Sequence, residues 1–228
     1  TVASAGRSLF GRGQLLVVGQ FASRRTSTRR RGARPWGDPS GHGASRPAAS
    51  VMERLLAIGA PSLERETADG STLRVTLALF DALRVLCPFT EAVRPGLFVL
   101  PTRGPSRFFG GEDNVLSAVA DIVTDATGES PQLGVADGLF CAELAARAGV
   151  VVAPGGTDQF RARQPVEVLG SRDLAQTAHR LGLHTVGDFA ALPPGRVAER
   201  FDRAVRHRHL VARGEVATLE GQRDPTWE

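Results

Sequence analysis

Two stretches of this chain carry residue types that chemistry can use in opposite senses, one by what it presents and one by what it lacks. Residues 179–201, HRLGLHTVGDFAALPPGRVAERF, read as a helix ending at Gly182, a short link, and a second helix that Thr185 can cap with Asp188 three positions later. Two helices joined through a tight Gly-containing link make a helix-hairpin-helix. Its backbone N–H groups, gathered at a helix N-terminus, suit a phosphate and ignore base sequence. Gly182, Leu183, His184, Thr185, Val186 and Gly187 are the positions so placed. Around them lie Arg172, Arg180, Arg196, Arg200, Arg203, Arg206, Arg208 and Arg213, with His207 and His209. This density points to a nucleic-acid backbone, with Arg196, Arg200 and Arg206 as the assigned side chains. Glu199 and Asp202 interleave with the cations, so an ordinary helical hairpin with a solvated mixed surface is the plain alternative.

The second stretch, residues 91–111, reads EAVRPGLFVLPTRGPSRFFGG and contains no acid after Glu91 until Glu112. Alternation followed by the run Leu97, Phe98, Val99 and Leu100 predicts a central strand closed by Pro101 and Gly104. Other chemistry finds little support. His179, His184, His207 and His209 are close in sequence but no Cys or clustered carboxylate joins them at a familiar metal spacing, and no metal site is expected. Cys87 and Cys141 are far apart and read as buried thiols. A G-x-S-x-G nucleophile elbow is absent, and Gly155–Gly156 before Thr157 is a weak phosphate cradle.

The elements that must position these residues follow from periodicity. Residues 51–63 read as a short helix, 72–86 as an amphipathic helix with Leu73, Leu77, Phe80, Leu83 and Val85 at helical spacing, and 112–127 as a helix with Val115, Leu116, Val119, Ile122 and Val123 on one face. Residues 132–136 form a short strand, Asp137 caps a helix over 138–148, and 150–152 form a further strand. After Pro165 the pattern becomes short helices over 171–181, 185–192, 196–202 and 204–212. The expected fold class is thus an α/β or α+β layer with a mixed sheet over 51–164, followed by a small all-α helix-hairpin-helix domain over 165–215 and a linker or truncated end over 216–228. All 28 basic residues are Arg, and residues 1–50 hold nine of them against one acid. That Arg/Gly/Ser/Pro-rich segment, including the run at 24–34, cannot bury enough apolar surface to order itself and is expected to be disordered. It could attract nucleic acid, or it resembles an organellar transit peptide; because the chain begins at Thr1 rather than Met, a truncated or misread N-terminus is the third reading. No run approaches the roughly 20 apolar residues of a membrane span.

Four segments in order, EAVRPGLFVLPTRGPSRFFGGE, QLGVADGLFCAELAARAG, VVVAPGGTDQFRARQPVEVLG and LGLHTVGDFAALPPGRVAERFDRAVRHRHLVARGE, resemble the Y-family (UmuC/DinB-like) translesion DNA polymerases, most closely their degenerate ImuB-like branch. The resemblance implies a palm up to residue 164, with a fingers remnant before it, and a thumb from Pro165. In active members a palm Ser-x-Asp-Glu motif, with an earlier Asp, holds two Mg²⁺ ions. Aligned through Gly104, Arg94 falls on the Ser, Gly96 on the Asp and Leu97 on the Glu, so no catalytic residue and no cofactor is expected. The first palm strand is expected to be missing, leaving an unpaired sheet edge. The implied function is a non-catalytic DNA-binding adaptor in DNA repair and damage-induced mutagenesis, in the bacterial cytoplasm at the nucleoid. Its implied partners are duplex or primer-template DNA and, through regions missing from a fragment, an error-prone polymerase, an accessory recombinase-like protein and the sliding clamp. The alternatives are an active DNA-directed DNA polymerase with relocated ligands, requiring Mg²⁺, and a structural remnant without function.

Overall fold

Strand β1 (Arg54–Gly59) is the first element of the computed structural model, which describes residues 52–65, 70–216 and 218. The expectations for residues 1–50 and for most of the C-terminal linker lie outside the described residues. After a 3₁₀ turn at Pro61–Glu64 come helix α1 (Ser71–Leu86), strands β2 (Glu91–Arg94) and β3 (Leu97–Pro101), helices α2 (Arg103–Phe109) and α3 (Glu112–Thr127), and strand β4 (Gln132–Asp137). Helices α4 (Leu139–Ala148) and α5 (Thr157–Ala162) follow. A 3₁₀ turn at Val166–Leu169 then leads into α6 (Arg172–Arg180), α7 (Val186–Ala190), α8 (Pro194–Arg200) and α9 (Arg203–Arg213).

The sheet order is β2-β3-β1-β4 and every ladder is antiparallel, a split βαβ arrangement in which each helical crossover skips one strand. This corrects two expectations. The helix expected over 51–63 is β1, and the first strand expected to be missing is therefore present and central, paired with β3 from Leu55↔Pro101 to Gly59↔Leu97 and with β4 from Arg54↔Asp137 to Gly59↔Gln132. The sheet expected to be mixed has one parallel feature among the described residues, the isolated bridge Val135↔Val151, where a strand was expected over 150–152.

Burial explains the misreading of β1. Leu55 and Ala57 face a core with α4 and the C-terminal helices, while Leu56 and Ile58 face a second core with α1 and α3. A strand buried on both faces shows a continuous apolar run rather than alternation, and so resembles a short buried helix. The buried face of α1 matches the expected one in part, since Leu83 is buried and Phe80 packs against the same core. Thr72, Leu79 and Leu83 pack inward, whereas Leu73, Leu77 and Val85 are exposed. Helix α3 occupies the expected span, with Val115, Val119 and Val123 buried and Gly128 as its left-handed stop. The short helices after Pro165 also lie close to their expected spans, and they share one continuous core with the sheet through Val166, Leu169, Leu174, Val186, Phe189 and Val211.

Two contacts fix this packing. At Gly134 on β4 an added Cβ would fall 2.0 Å from the Ala146 nitrogen and 2.1 Å from the Ala145 carbonyl carbon, so α4 lies directly on the strand backbone. At the other end of the sheet Arg54 donates to Glu112 Oε1 at 2.6 Å and Oε2 at 2.9 Å, and to the Val152 carbonyl at 2.7 Å. This bidentate pair ties β1 to the first turn of α3, where a carboxylate also suits the helix dipole. The hydrogen bond from Arg54 holds the Glu112 carboxyl below its usual range against the opposing effect of burial.

Gly134→Ala is expected to cost about 3 kcal/mol or more, or to abolish folding, because backbone rather than a flexible side chain blocks the new methyl. Gly59→Ala, whose Cβ would meet the Gln132 side chain at 3.2 Å, is expected to cost under about 1 kcal/mol. Urea titrations of the two variants provide the comparison. Glu112→Gln should lose about 2 kcal/mol at pH 7, since it breaks a charged, largely buried hydrogen-bonded pair. Because the folded carboxyl titrates below the unfolded value of about 4.3, the wild-type contribution is present above that pH and disappears as pH falls through the folded value. The variant's melting temperature should accordingly fall less steeply on acidification.

Candidate nucleic-acid interface

Residues 91–101 form a hairpin rather than the single strand expected. Strands β2 and β3 are joined by the two-residue turn Pro95–Gly96, and all five residues of β3 are buried. Gly96 has φ +72, a left-handed conformation that costs other residues about 1–2 kcal/mol. Its Cα faces the end of β1: an added Cβ would sit 2.7 Å from the Ala60 carbonyl oxygen and 2.7 Å from Glu64 Cγ. The Ala60 N–H donates to the Gly96 carbonyl at 2.7 Å, locking the turn to the chain leaving β1. Leu97, the other position aligned with a catalytic acid, is 3% exposed and belongs to the core shared with α4.

The helical hairpin forms as the sequence indicates. The Thr185 hydroxyl accepts from the Asp188 N–H at 3.0 Å and the Asp188 carboxylate accepts from the Thr185 N–H at 2.9 Å, a reciprocal capping box. Gly182 takes φ +76 between α6 and α7. Val186 is fully buried, and Gly187 packs against α5, where an added Cβ would lie 2.9 Å from the Ala162 carbonyl oxygen.

Five of the six amides expected to receive a phosphate are engaged within the chain. Gly182 donates to the His179 carbonyl, Leu183 to Ala178 and Val186 to Gln164. His184 and Thr185 both donate to the Asp188 carboxylate, and Asp188 itself donates to Thr185. An anion approaching α7 would meet a carboxylate already seated on those donors, and the backbone N–H of Thr185 above all holds that carboxyl below its usual range. Of the six amides only that of Gly187 has no acceptor among the described residues, and most donors open to a ligand lie in side chains.

Arg196 and Arg200 are exposed one turn apart on α8, and Arg203 and Arg206 are exposed on α9. None of the four side chains has an ion-pair or hydrogen-bond partner among the described residues. Other basic residues of the region serve the fold. Arg208 Nε donates to the Leu169 carbonyl, Arg213 pairs with Glu215, and Arg180 donates to the Thr177 hydroxyl. The two histidines grouped with them in sequence also point elsewhere. His209 is 2% exposed, packs edge-on against Phe189 and contacts the Leu192 carbonyl, while His207 contacts the Thr218 carbonyl.

Several polar positions carry no sequence signal because their partners are distant along the chain. Asp137 does not cap α4, whose N-cap is Gly138. Its carboxylate instead accepts from the Thr157 hydroxyl at 2.9 Å and lies 3.8 Å from Arg54 Nη1. Glu143, 7% exposed, is held by Arg94 and Arg147. Arg161, 6% exposed, donates to the Ala212 carbonyl and Asp158, joining α5 to the end of α9. Cys141 is buried and its thiol is pushed up to about 11 by desolvation, which makes it a packing residue rather than a nucleophile.

No family model matches the sequence, and no curated protein matches it significantly. Solved structures do match. Dbh in a ternary complex superposes with a TM-score of 0.53 at 14% identity over 65% of this chain and 47% of its own. DinB from Sulfolobus solfataricus gives a TM-score of 0.54 at 14% identity over 64% of this chain and 45% of its own. The chain spans about half the length of these proteins. At this level of identity the likeness is one of architecture: the described residues have the fold of the corresponding part of a Y-family polymerase.

Proposed function

We propose that this chain is a non-catalytic, Y-family-like DNA-binding protein, nearest to the ImuB-like branch, that serves DNA repair and damage-induced translesion synthesis as an adaptor at the bacterial nucleoid. The observation that carries the non-catalytic reading is Gly96. The position that aligns with a metal-holding Asp is a left-handed turn residue whose Cβ space is occupied by Ala60 and Glu64. Its neighbour Leu97 is a core residue, and β1 ends in Gly59 and Ala60 with no oxygen-bearing side chain. Hard divalent cations need several oxygen ligands, and Glu64 alone beside the turn does not make such a set. The residues present do not fit the paired Mg²⁺ ions that the fold family implies, and no catalytic step is assigned to them.

DNA contact in this reading runs through Arg196, Arg200, Arg203 and Arg206, exposed cations that can neutralise phosphates without reading bases. The mode leans on side chains more than the amide-mediated one expected for a helix-hairpin-helix, because five of the six amides from Gly182 to Gly187 have acceptors within the chain. The proposed ligand is duplex or primer-template DNA. An error-prone polymerase, an accessory recombinase-like protein and the sliding clamp are the proposed protein partners.

Sequence-independent duplex binding should weaken with salt, and Arg200→Glu/Arg206→Glu should lower affinity at least about tenfold while reducing the slope of log K against log salt by about two. Fluorescence anisotropy at several salt concentrations measures both; binding that is unchanged in the double variant overturns the assignment. With Mg²⁺ and dNTPs, primer extension should not exceed a no-protein control, and incorporation above it would establish the active-polymerase reading instead. Gly96→Asp/Leu97→Glu should not restore extension, and should destabilise the chain by about 2 kcal/mol or more in urea titration, since the turn has neither the φ nor the space for a side chain.

A further inference from the structure

The helical hairpin holds a cluster that the DNA-binding reading does not use. His179, in the last turn of α6, and His184, just before the N-cap of α7, bring their Nδ1 atoms to 3.1 Å with ring centroids 5.0 Å apart and planes inclined at 60°. On the far side of the His179 ring, Nε2 lies 2.7 Å from Glu167 Oε1. Both rings are solvent-accessible, and a cavity of about 390 Å³ lined by Glu167, Ser171, Arg172, Gln176 and His179 opens beside them.

We propose that His179 and His184 form a binding site for a borderline or soft divalent transition-metal ion such as Zn²⁺ or Cu²⁺, ligated through both Nδ1 atoms, with Glu167 as the carboxylate that orients His179. The distances suit this chemistry. With metal–nitrogen bonds of about 2.0–2.1 Å, nitrogens 3.1 Å apart subtend about 98° at the ion, between the square-planar and tetrahedral values. An opening of only about 0.2–0.3 Å reaches the tetrahedral angle. The carboxylate–imidazole contact fixes the tautomer: with the Nε2–H donated to Glu167, a neutral His179 presents a bare Nδ1 outward, the second half of a carboxylate–histidine–metal arrangement.

With the His179 Nε2–H given to Glu167, the 3.1 Å contact in the metal-free molecule requires the His184 Nδ1–H as its donor. An incoming ion replaces that shared proton, and His184 carries its proton on Nε2 instead, so a neutral pair binds the ion without net proton release. Two imidazoles favour zinc, copper or nickel over magnesium or calcium. The remaining coordination positions face solvent and take water or an external oxygen ligand.

The scaffold is preorganised for this role. His184 is fixed by its N–H bond to Asp188 and by its carbonyl, which accepts from the Val166 N–H at 3.0 Å. The same Val166 precedes Glu167 in its 3₁₀ turn, so ligand and orienting group are braced by one short backbone bridge, Pro165↔Thr185. The surrounding charges oppose each other. Glu167 and Asp188 attract a cation, while Arg172 lines the neighbouring cavity and Arg180 lies next to His179. The ion would clip the end of α6 to the start of α7 across Gly182, independently of whether the chain binds DNA.

The test is isothermal titration of the metal-stripped full chain with ZnCl₂, alongside His184→Ala, Glu167→Gln and His207→Ala, each checked for folding by circular dichroism in EDTA. The expected result is one zinc bound per chain, with affinity at least tenfold lower in His184→Ala, tenfold to a hundredfold lower in Glu167→Gln, and unaltered in His207→Ala. Zinc should also raise the melting temperature of the wild type more than that of His184→Ala. Equal zinc affinity in the wild type and folded His184→Ala, or no binding by the wild type, overturns the site. Unchanged affinity in Glu167→Gln overturns the orienting role of the carboxylate.

Discussion

Two-faced burial of β1 is the constraint on which the rest of the structure depends. A central strand flanked by β3 and β4, with helices on both faces, must supply apolar residues at every position, and Leu55, Leu56, Ala57 and Ile58 do so. Its two ends are closed differently. Arg54 resolves one end by bridging to Glu112 and the Val152 carbonyl, so a single guanidinium joins β1 to α3 and to the segment after α4. Gly59 and Ala60 resolve the other end by letting the β2–β3 turn close tightly over it. The two cores are therefore linked through one strand, and the C-terminal helices pack on the face that β1 shares with α4.

What the sequence made legible follows the range of each physical signal. Helices α3, α6, α7 and α9 are readable because their stops and caps are local: Gly128 and Gly214 in the left-handed region, and Ser171, Thr185 and Asp202 as side-chain caps. Strand β1 is not, because burial on two faces erases the alternation that distinguishes a strand from a helix. The face of α1 is legible only in part for a related reason. Leu83 and Phe80 pack inward as their spacing indicates, but Thr72 is buried and Leu73 exposed, and only the position of α3 decides between them. The turn at Gly96 was visible as a Pro-Gly pair but was absorbed into a strand, since nothing local announces that β2 and β3 are separate.

The candidate interface shows the same division. The capping box of Thr185 and Asp188 is a local pattern and was legible; that the box consumes amides otherwise suited to a phosphate is a matter of geometry. Similarly, eight arginines crowd residues 172–213, and only the fold separates those that brace it, such as Arg208 on the Leu169 carbonyl, from those left exposed on α8 and the start of α9. His209 lay in a basic run and is a core residue whose titration is lowered first by desolvation. Charge density in sequence overstates a binding surface whenever the same side chains are needed to satisfy carbonyls.

An Asp in place of Gly96 would have to satisfy two demands at once, a side chain where φ is +72 and a Cβ where Ala60 and Glu64 already sit. Converting such a turn into a metal-holding one would require moving the chain that leaves β1, and with it the hydrogen bond from Ala60 to the Gly96 carbonyl. That chain is continuous with the strand on which both cores rest. The turn's chemistry and the sheet's packing are thus coupled, and an acid could enter only with compensating changes in residues 59–64. A hairpin closed in this way keeps the scaffold's shape at the expense of any side chain at position 96.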